Sequence, residues 1–104
     1  MTRYENEPIA PGDRVRLRDD SILWCEVGDQ LLVLLPSGED YLSLNRSAVP
    51  LWDRLRRGAT TFELAKLLAS RYHLPSDRAQ HDAARFVTLL ATRGLLDVSR
   101  LEID

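Results

Sequence analysis

The apolar pattern of this chain changes period once, at about Ser47, and that change constrains the architecture more than any other feature. Before it, apolar residues come in short runs separated by turn residues, the pattern of β-strands. After it they recur at i, i+3, i+4 and i+7, the pattern of helices that bury one face. Strands first and helices after make an α+β domain rather than alternating βαβ units.

In the N-terminal part, Val15 and Leu17 alternate with Arg14, Arg16 and Arg18 and could form a short strand. Ile22 to Val27 has the β-branched and aromatic content of a strand, and Gly28-Asp29 supplies a turn. Leu31 to Leu35 follows, ended by Pro36-Ser37-Gly38, and Tyr41 to Leu44 completes an antiparallel meander. The Leu31–Leu35 run is apolar at both odd and even positions, whereas a sheet with one solvated face alternates. Either something covers both faces of this strand or one face is left sticky, and the N-terminal segment, a partner or a second copy is expected to cover it. Residues 1–13, with Pro8, Pro11 and Gly12, read as a flexible tail ahead of a single domain over 14–104.

Ala48, Leu51, Trp52 and Leu55 share one face of a first helix. Pro50 places its start: with Ser47 as the cap, Pro50 falls in the first turn, where a missing N–H costs little. Gly58 then ends the helix in a left-handed residue. Thr60-Thr61-Phe62-Glu63 is a capping box that opens a second helix, closed near His73 and Leu74-Pro75. Ser76 and Asp77 are expected to cap a third helix running to about Arg93, with Ala79, Ala83, Phe86, Val87 and Leu90 as its core stripe and Gly94 past its end. Leu95, Leu96 and Val98 are expected to fold back onto the core. The outline is a winged helix-turn-helix type: an N-terminal three-stranded antiparallel sheet followed by three helices.

The Tyr41–Leu44 strand runs straight into the first helix, and nothing after it reads as a strand able to pair with it. An unpaired edge can dock a peptide by strand addition. The backbone of Asp40, Tyr41, Leu42, Ser43 and Leu44 would be the rail. On the third helix Arg78, Asp82, Arg85 and Leu89 fall at i, i+4, i+7 and i+11, with Phe86 at the border of that stripe. Such a face suits the opposite wall of a groove, with Tyr41, Phe86 and Leu89 as apolar pockets and Arg78, Asp82 and Arg85 tuning specificity.

Composition argues against the alternatives. A net charge of −2 provides no global basic field for nucleic acid or acidic lipid. The supposed recognition helix does carry Arg78, Gln80, His81, Arg85, Thr88 and Arg93, so a winged-helix DNA-binding protein is the rival reading; Asp77 and Asp82 on the same helix oppose it. His73 and His81 lack metal-site spacing, Cys25 has no neighbouring base and reads as buried and inert, Asp19-Asp20 reads as a solvated turn, and the isolated glycines form no phosphate loop. No catalytic residue, metal or cofactor is expected. One cysteine in the chain fits a reducing cytoplasm, and the longest apolar run is too short to span a bilayer. A structural adaptor dimerising through the apolar Leu31–Leu35 strand is a third possibility.

Three segments in order resemble the PqqD-like family of peptide-modification chaperones, or precursor-peptide recognition elements. Tyr41-Leu42-Ser43-Leu44-Asn45-Arg46-Ser47-Ala48-Val49-Pro50-Leu51-Trp52 is similar to its Tyr-x-x-Leu-Asn-x-Thr/Ser-Ala-x-x-hydrophobic-Trp segment. Gly58-Ala59-Thr60-Thr61-Phe62-Glu63-Leu64 is similar to its Gly-x-x-Thr-x-Glu-hydrophobic helix start, and Asp82, Phe86, Leu90 and Gly94-Leu95-Leu96 to its closing pattern. Pro50 occupies a variable slot, and Arg57 stands where an Asp commonly precedes the Gly. The resemblance covers Leu31 to Leu96 and implies a non-catalytic domain that takes the leader of a ribosomally made precursor peptide as a fourth strand, against the third helix. It is most like the small proteins of lasso-peptide clusters, which implies a transglutaminase-like leader peptidase and a cyclase as partners. A pyrroloquinoline quinone-type peptide chaperone is the nearest alternative.

Overall fold

The computed structural model describes residues 9–18, 22–35, 38 and 40–99. The fold is α+β, with two three-stranded antiparallel sheets and three helices among the described residues. In chain order these are β1 (Arg14–Leu17), β2 (Trp24–Val27), β3 (Gln30–Leu34), β4 (Tyr41–Leu44), α1 (Ala48–Leu55), β5 (Ala59–Thr60), α2 (Thr61–Tyr72), α3 (Ser76–Thr92) and β6 (Leu96–Ser99).

The meander of β2, β3 and β4 forms as expected, but β1 does not join it. Instead β1 lies between β5 and β6, pairing Val15 with both Ala59 and Val98. The segment expected simply to fold back is thus a strand. Leu96-Asp97-Val98-Ser99 has period 2, with Leu96 buried, Val98 half-buried and the two polar residues exposed. Gly58 makes the entry to β5 possible. Its φ of +97° is left-handed, and its carbonyl accepts from the Arg54 Nη1 and, at 3.5 Å, the Arg14 Nη2.

Pro50 is the third residue of α1, within the first turn. Ser47 precedes the helix but makes no side-chain cap bond; its hydroxyl donates instead to Asn45 Oδ1 at 2.7 Å. The turn is held by the backbone, through Ala48 N–H to Asn45 O at 3.0 Å and Val49 N–H to Arg46 O at 3.1 Å. The box at Thr60 is complete: Glu63 N–H donates to Thr60 Oγ1 at 3.1 Å, and Thr60 N–H to Glu63 Oε1 at 2.9 Å. His73 adopts the left-handed conformation that ends α2, at φ 57°. The expected caps of α3 are corrected: Pro75 is the cap position, Ser76 is already helical, and neither Ser76 nor Asp77 satisfies a cap bond. The Asp77 carboxylate accepts from the adjacent Arg78 N–H at 3.1 Å.

One core joins all layers, with Val15, Leu31, Val33, Leu55, Leu64, Leu90 and Leu95 fully buried. Trp52 is its largest member, and Trp24 of β2 meets it edge-on with ring centroids 6.1 Å apart. The Arg56 guanidinium lies over the Trp24 ring, 5.3 Å from its centroid. Residues 9–13, expected as part of a tail, are tied in. Asp13 is buried, Ala10 N–H donates to its Oδ2 at 2.9 Å, and Pro11 O accepts from Phe62 N–H at 3.3 Å. Residues 1–8 of the expected tail, the Asp19-Asp20 turn and Pro36-Ser37 lie outside the described residues.

The two caps make a direct test. Thr60→Ala should lower unfolding free energy by about 1 kcal/mol, whereas Ser76→Ala should stay within about 0.5 kcal/mol of the parent, both read from urea denaturation midpoints.

Candidate functional site

The hydrogen-bond parity of β3 decides what each edge of its sheet offers. Leu34 N–H donates to Leu23 O at 2.9 Å, and Leu35 N–H to Asp40 O at 3.0 Å. Successive residues of a strand send their backbone groups to alternate sides, so Leu32 and Leu34 bond β2 while Leu31 and Val33 bond β4. On β4, Leu42 and Leu44 therefore turn their N–H and C=O toward β3. Tyr41 and Ser43 turn theirs away from the sheet, and no other described strand pairs with them. Within the stretch Asp40–Leu44, expected as a rail, these two residues are the ones whose backbone groups face outward.

One of the outward groups is already engaged. The Asp40 carboxylate accepts from Tyr41 N–H at 2.8 Å. An added strand must displace that carboxylate to reach Tyr41 N–H, whereas Tyr41 C=O and both backbone groups of Ser43 lie open. Aligned Ser43 Oγ and Gln30 Oε1, 3.4 Å apart, decorate the outer face of the sheet without blocking the edge.

Side-chain parity divides the expected site residues between two faces. Leu42 and Leu44 are buried in the same core as Phe86 of α3, and Leu89 packs half-buried at its margin. Tyr41, 61% exposed, points to the opposite face of the sheet. Tyr41 does not share a pocket with Phe86 and Leu89. On α3, Arg78 Nε meets Asp82 Oδ2 at 3.3 Å, with the arginine side chain well exposed, a geometry that contributes little to stability. Arg85 is exposed. α3 packs mainly on α2 and makes no extended direct contact with β4, so helix and edge strand meet only through the shared core.

The outer face of the β2–β3–β4 sheet carries Leu23, Val27, Leu34 and Tyr41 exposed, with Leu32 half-buried. The described residues leave that face uncovered, which resolves the two-sided apolar pattern of β3: Leu31 and Val33 are core, Leu32 and Leu34 are surface. Cys25, expected to be buried, is exposed on this same face, because its partner Leu32 points outward too. Two hollows lie elsewhere, one of about 390 Å3 between α2 and α3 beside Phe62, the other of about 300 Å3 beside the β2–β3 turn and Arg71. Strand addition needs an edge rather than a hollow, so neither competes with β4. Among the described residues no three His, Cys, Asp or Glu side chains cluster as a metal site, and no helix is long and apolar enough to cross a membrane.

Comparison with known proteins places this geometry. The family model described as coenzyme PQQ synthesis protein D (PqqD) matches residues 30–96, more than half of the chain, and the chain belongs to that family. Among solved structures it is similar to the tRNA-dependent lantibiotic dehydratase MibB from Microbispora sp. 107891, with a TM-score of 0.59 and 21% identity. The similarity covers 85% of this chain and 8% of the dehydratase, and it is a likeness of fold. No curated protein matches the sequence significantly.

Edge parity can be tested without any ligand. Ser43→Pro removes an N–H that the sheet does not use and should cost about 1 kcal/mol, whereas Leu42→Pro removes a ladder bond and a core side chain and should cost about 3 kcal/mol or more. Thermal and urea unfolding of the two variants would separate them.

Proposed function

We propose that this protein binds the leader segment of a ribosomally synthesised precursor peptide by adding it as a fourth strand to β4, and that it performs no chemistry itself. The observation that carries this reading is the outward-facing backbone of Tyr41 and Ser43 at an edge free of described partners, in a member of the PqqD family. Backbone pairing supplies register and a general affinity. Side chains supply selection. Alternate residues of the added strand face either the core side, toward Phe86 and Leu89, or the outer face beside Tyr41. Arg85 presents a charge to flanking residues, and Arg78 and Asp82 present a paired charge that a leader can exchange for its own.

The closest functional setting is lasso-peptide biosynthesis in the cytoplasm, where the bound leader would be presented to a transglutaminase-like peptidase and to the cyclase. The strand-to-helix segment Tyr41 to Trp52 supports that assignment over a pyrroloquinoline quinone-type chaperone. A domain of similar fold within a lantibiotic dehydratase fits the broader role of serving enzymes that modify peptides. The slightly acidic chain and the Arg78–Asp82 pair favour a peptide over duplex DNA as the guest.

Fluorescence anisotropy with labelled synthetic leader peptides of lasso-peptide precursors tests the reading. Ser43→Pro should weaken binding at least about tenfold by removing an edge donor. Arg85→Glu and Leu89→Asp should each weaken it by about 1–2 kcal/mol with the fold intact by circular dichroism. Unchanged affinity in all three variants would refute strand addition at β4.

A further inference from the structure

The second edge of the same sheet has a pattern that fits itself. By the parity established above, Leu23, Cys25 and Val27 bond β3, so Trp24 and Glu26 turn their N–H and C=O groups outward along the side of β2 that no other described strand pairs. Every residue of β2 is exposed, including Trp24 at 36% and Val27 at 54%, and Leu23 just before it is 65% exposed. Edge strands that stay single are commonly guarded by lysine, proline, a bulge or an inward-pointing charge, and of these β2 has only the last, Glu26.

We infer that β2 pairs antiparallel with β2 of a second copy of this chain about a two-fold axis at Cys25, joining two sheets into one of six strands. In this register Trp24 lies opposite Glu26 of the second copy, and the outward N–H and C=O groups of both residues are satisfied in each direction, four bonds in all. On the outer face Leu23 meets Val27 of the second copy, and Val27 meets its Leu23, so the exposed apolar residues of the two edges cover one another. On the inner face Glu26, which makes no ion pair among the described residues, arrives beside Trp24 of the second copy and the guanidinium of Arg56 that lies over its ring. Arg56 already meets Asp53 at 3.4 Å and has donors left for a second carboxylate.

The neighbouring registers are worse. Moving the axis to Glu26 sets two carboxylates directly opposite each other. Moving it to Trp24 brings Val27 against position 21, a serine in the sequence, and takes away its apolar partner Leu23. Of the three axes, that at Cys25 sets Leu23 opposite Val27 and brings Glu26 beside Arg56 of the second copy, and an isologous contact of this kind closes on itself as a dimer. The two β4 edges then lie at the far ends of the joined sheet, so the dimer presents both of them outward.

The chosen axis sets Cys25 opposite Cys25 in a non-hydrogen-bonded pair, where Cα atoms lie about 4.5 Å apart, within the range a disulfide spans. That gives a direct readout in the native chain. Sedimentation velocity from about 1 µM to about 1 mM protein should show a reversible monomer–dimer equilibrium. Diamide, which takes up the two thiol hydrogens as the disulfide forms, should trap a covalent dimer through the sole cysteine, and Cys25→Ser should abolish it. Glu26→Pro removes an outward N–H that β3 does not use and should weaken dimerisation at least about tenfold. Val27→Lys, which keeps every backbone donor, should weaken it as well. Leader anisotropy should be unaffected by either change, which separates this edge from β4. A monomer at every concentration, or a dimer and disulfide yield that both variants leave unchanged, would overturn the assignment.

Discussion

The register of β3 governs everything this sheet can do. Leu31 and Val33 must both reach the core, and with a period of two that requirement admits a single facing for every other residue of the strand. A slip by one residue would bury Leu32 and Leu34 and expose the pair that now packs under α1. The same choice fixes which backbone groups turn toward β2 and which toward β4. Through them it determines that Tyr41 and Ser43 face outward on one edge and Trp24 and Glu26 on the other. A hydrophobic constraint in the centre of the sheet thus sets the hydrogen-bonding capacity at both rims.

Among the described residues those rims stay open because β1 is used elsewhere. Had the N-terminal strand joined the meander, it would have covered β2 or β4. It is drawn instead between β5 and β6, where Val15 packs fully buried and Arg18 N–H closes the end of the ladder on Leu95 O at 2.8 Å. The left-handed turn at Gly58 and the Thr60 capping box position β5 for this pairing, and the end of α3 delivers β6. The second sheet ties the beginning and end of the described chain to the helices, so the first sheet can remain a projecting three-stranded unit anchored by Trp24 on Trp52.

How much of this was legible in the sequence follows from how local each signal is. The three helices, the capping box, the place of Pro50 and the β2–β3–β4 meander depend on residues within a turn or two of one another, and periodicity carried them. The strand β6 had a local signal too, the alternation of Leu96, Asp97, Val98 and Ser99, but its partner β1 lies about eighty positions away, and a four-residue strand without a visible partner is easily taken for a loop. The two residues of β5 have no periodicity at all. Ser76 carried a cap signal that Pro75 pre-empted: the proline conformation starts the helix one residue earlier and leaves the serine inside it. Within the candidate site, the sequence named a stretch of edge and a stripe of helix. Faces and parity came only with the register, and they moved Tyr41 to the side of the sheet away from Phe86 and exposed Cys25.

The separation of Tyr41 from Phe86 changes what selection at this edge means. Backbone pairing is indifferent to sequence, so discrimination must come from side chains of the guest, and an extended guest sends them alternately to both faces. In the proposed binding mode one set would fall on the core side, toward the nearly buried Phe86 and the half-buried Leu89, which would accept an apolar side chain with little loss of conformational freedom. The other set emerges beside Tyr41 on an exposed apolar face, where contacts are looser and a modifying enzyme could share them. Asp40 adds a third element, because its carboxylate occupies Tyr41 N–H in the free protein. A guest whose carbonyl takes that donor must also leave the carboxylate well placed, and a guest cation near Asp40 does so while a guest carboxylate does not. In the proposed binding mode the edge would be open to any strand in its backbone, selective by packing on one face, and selective by charge at the end where β4 begins.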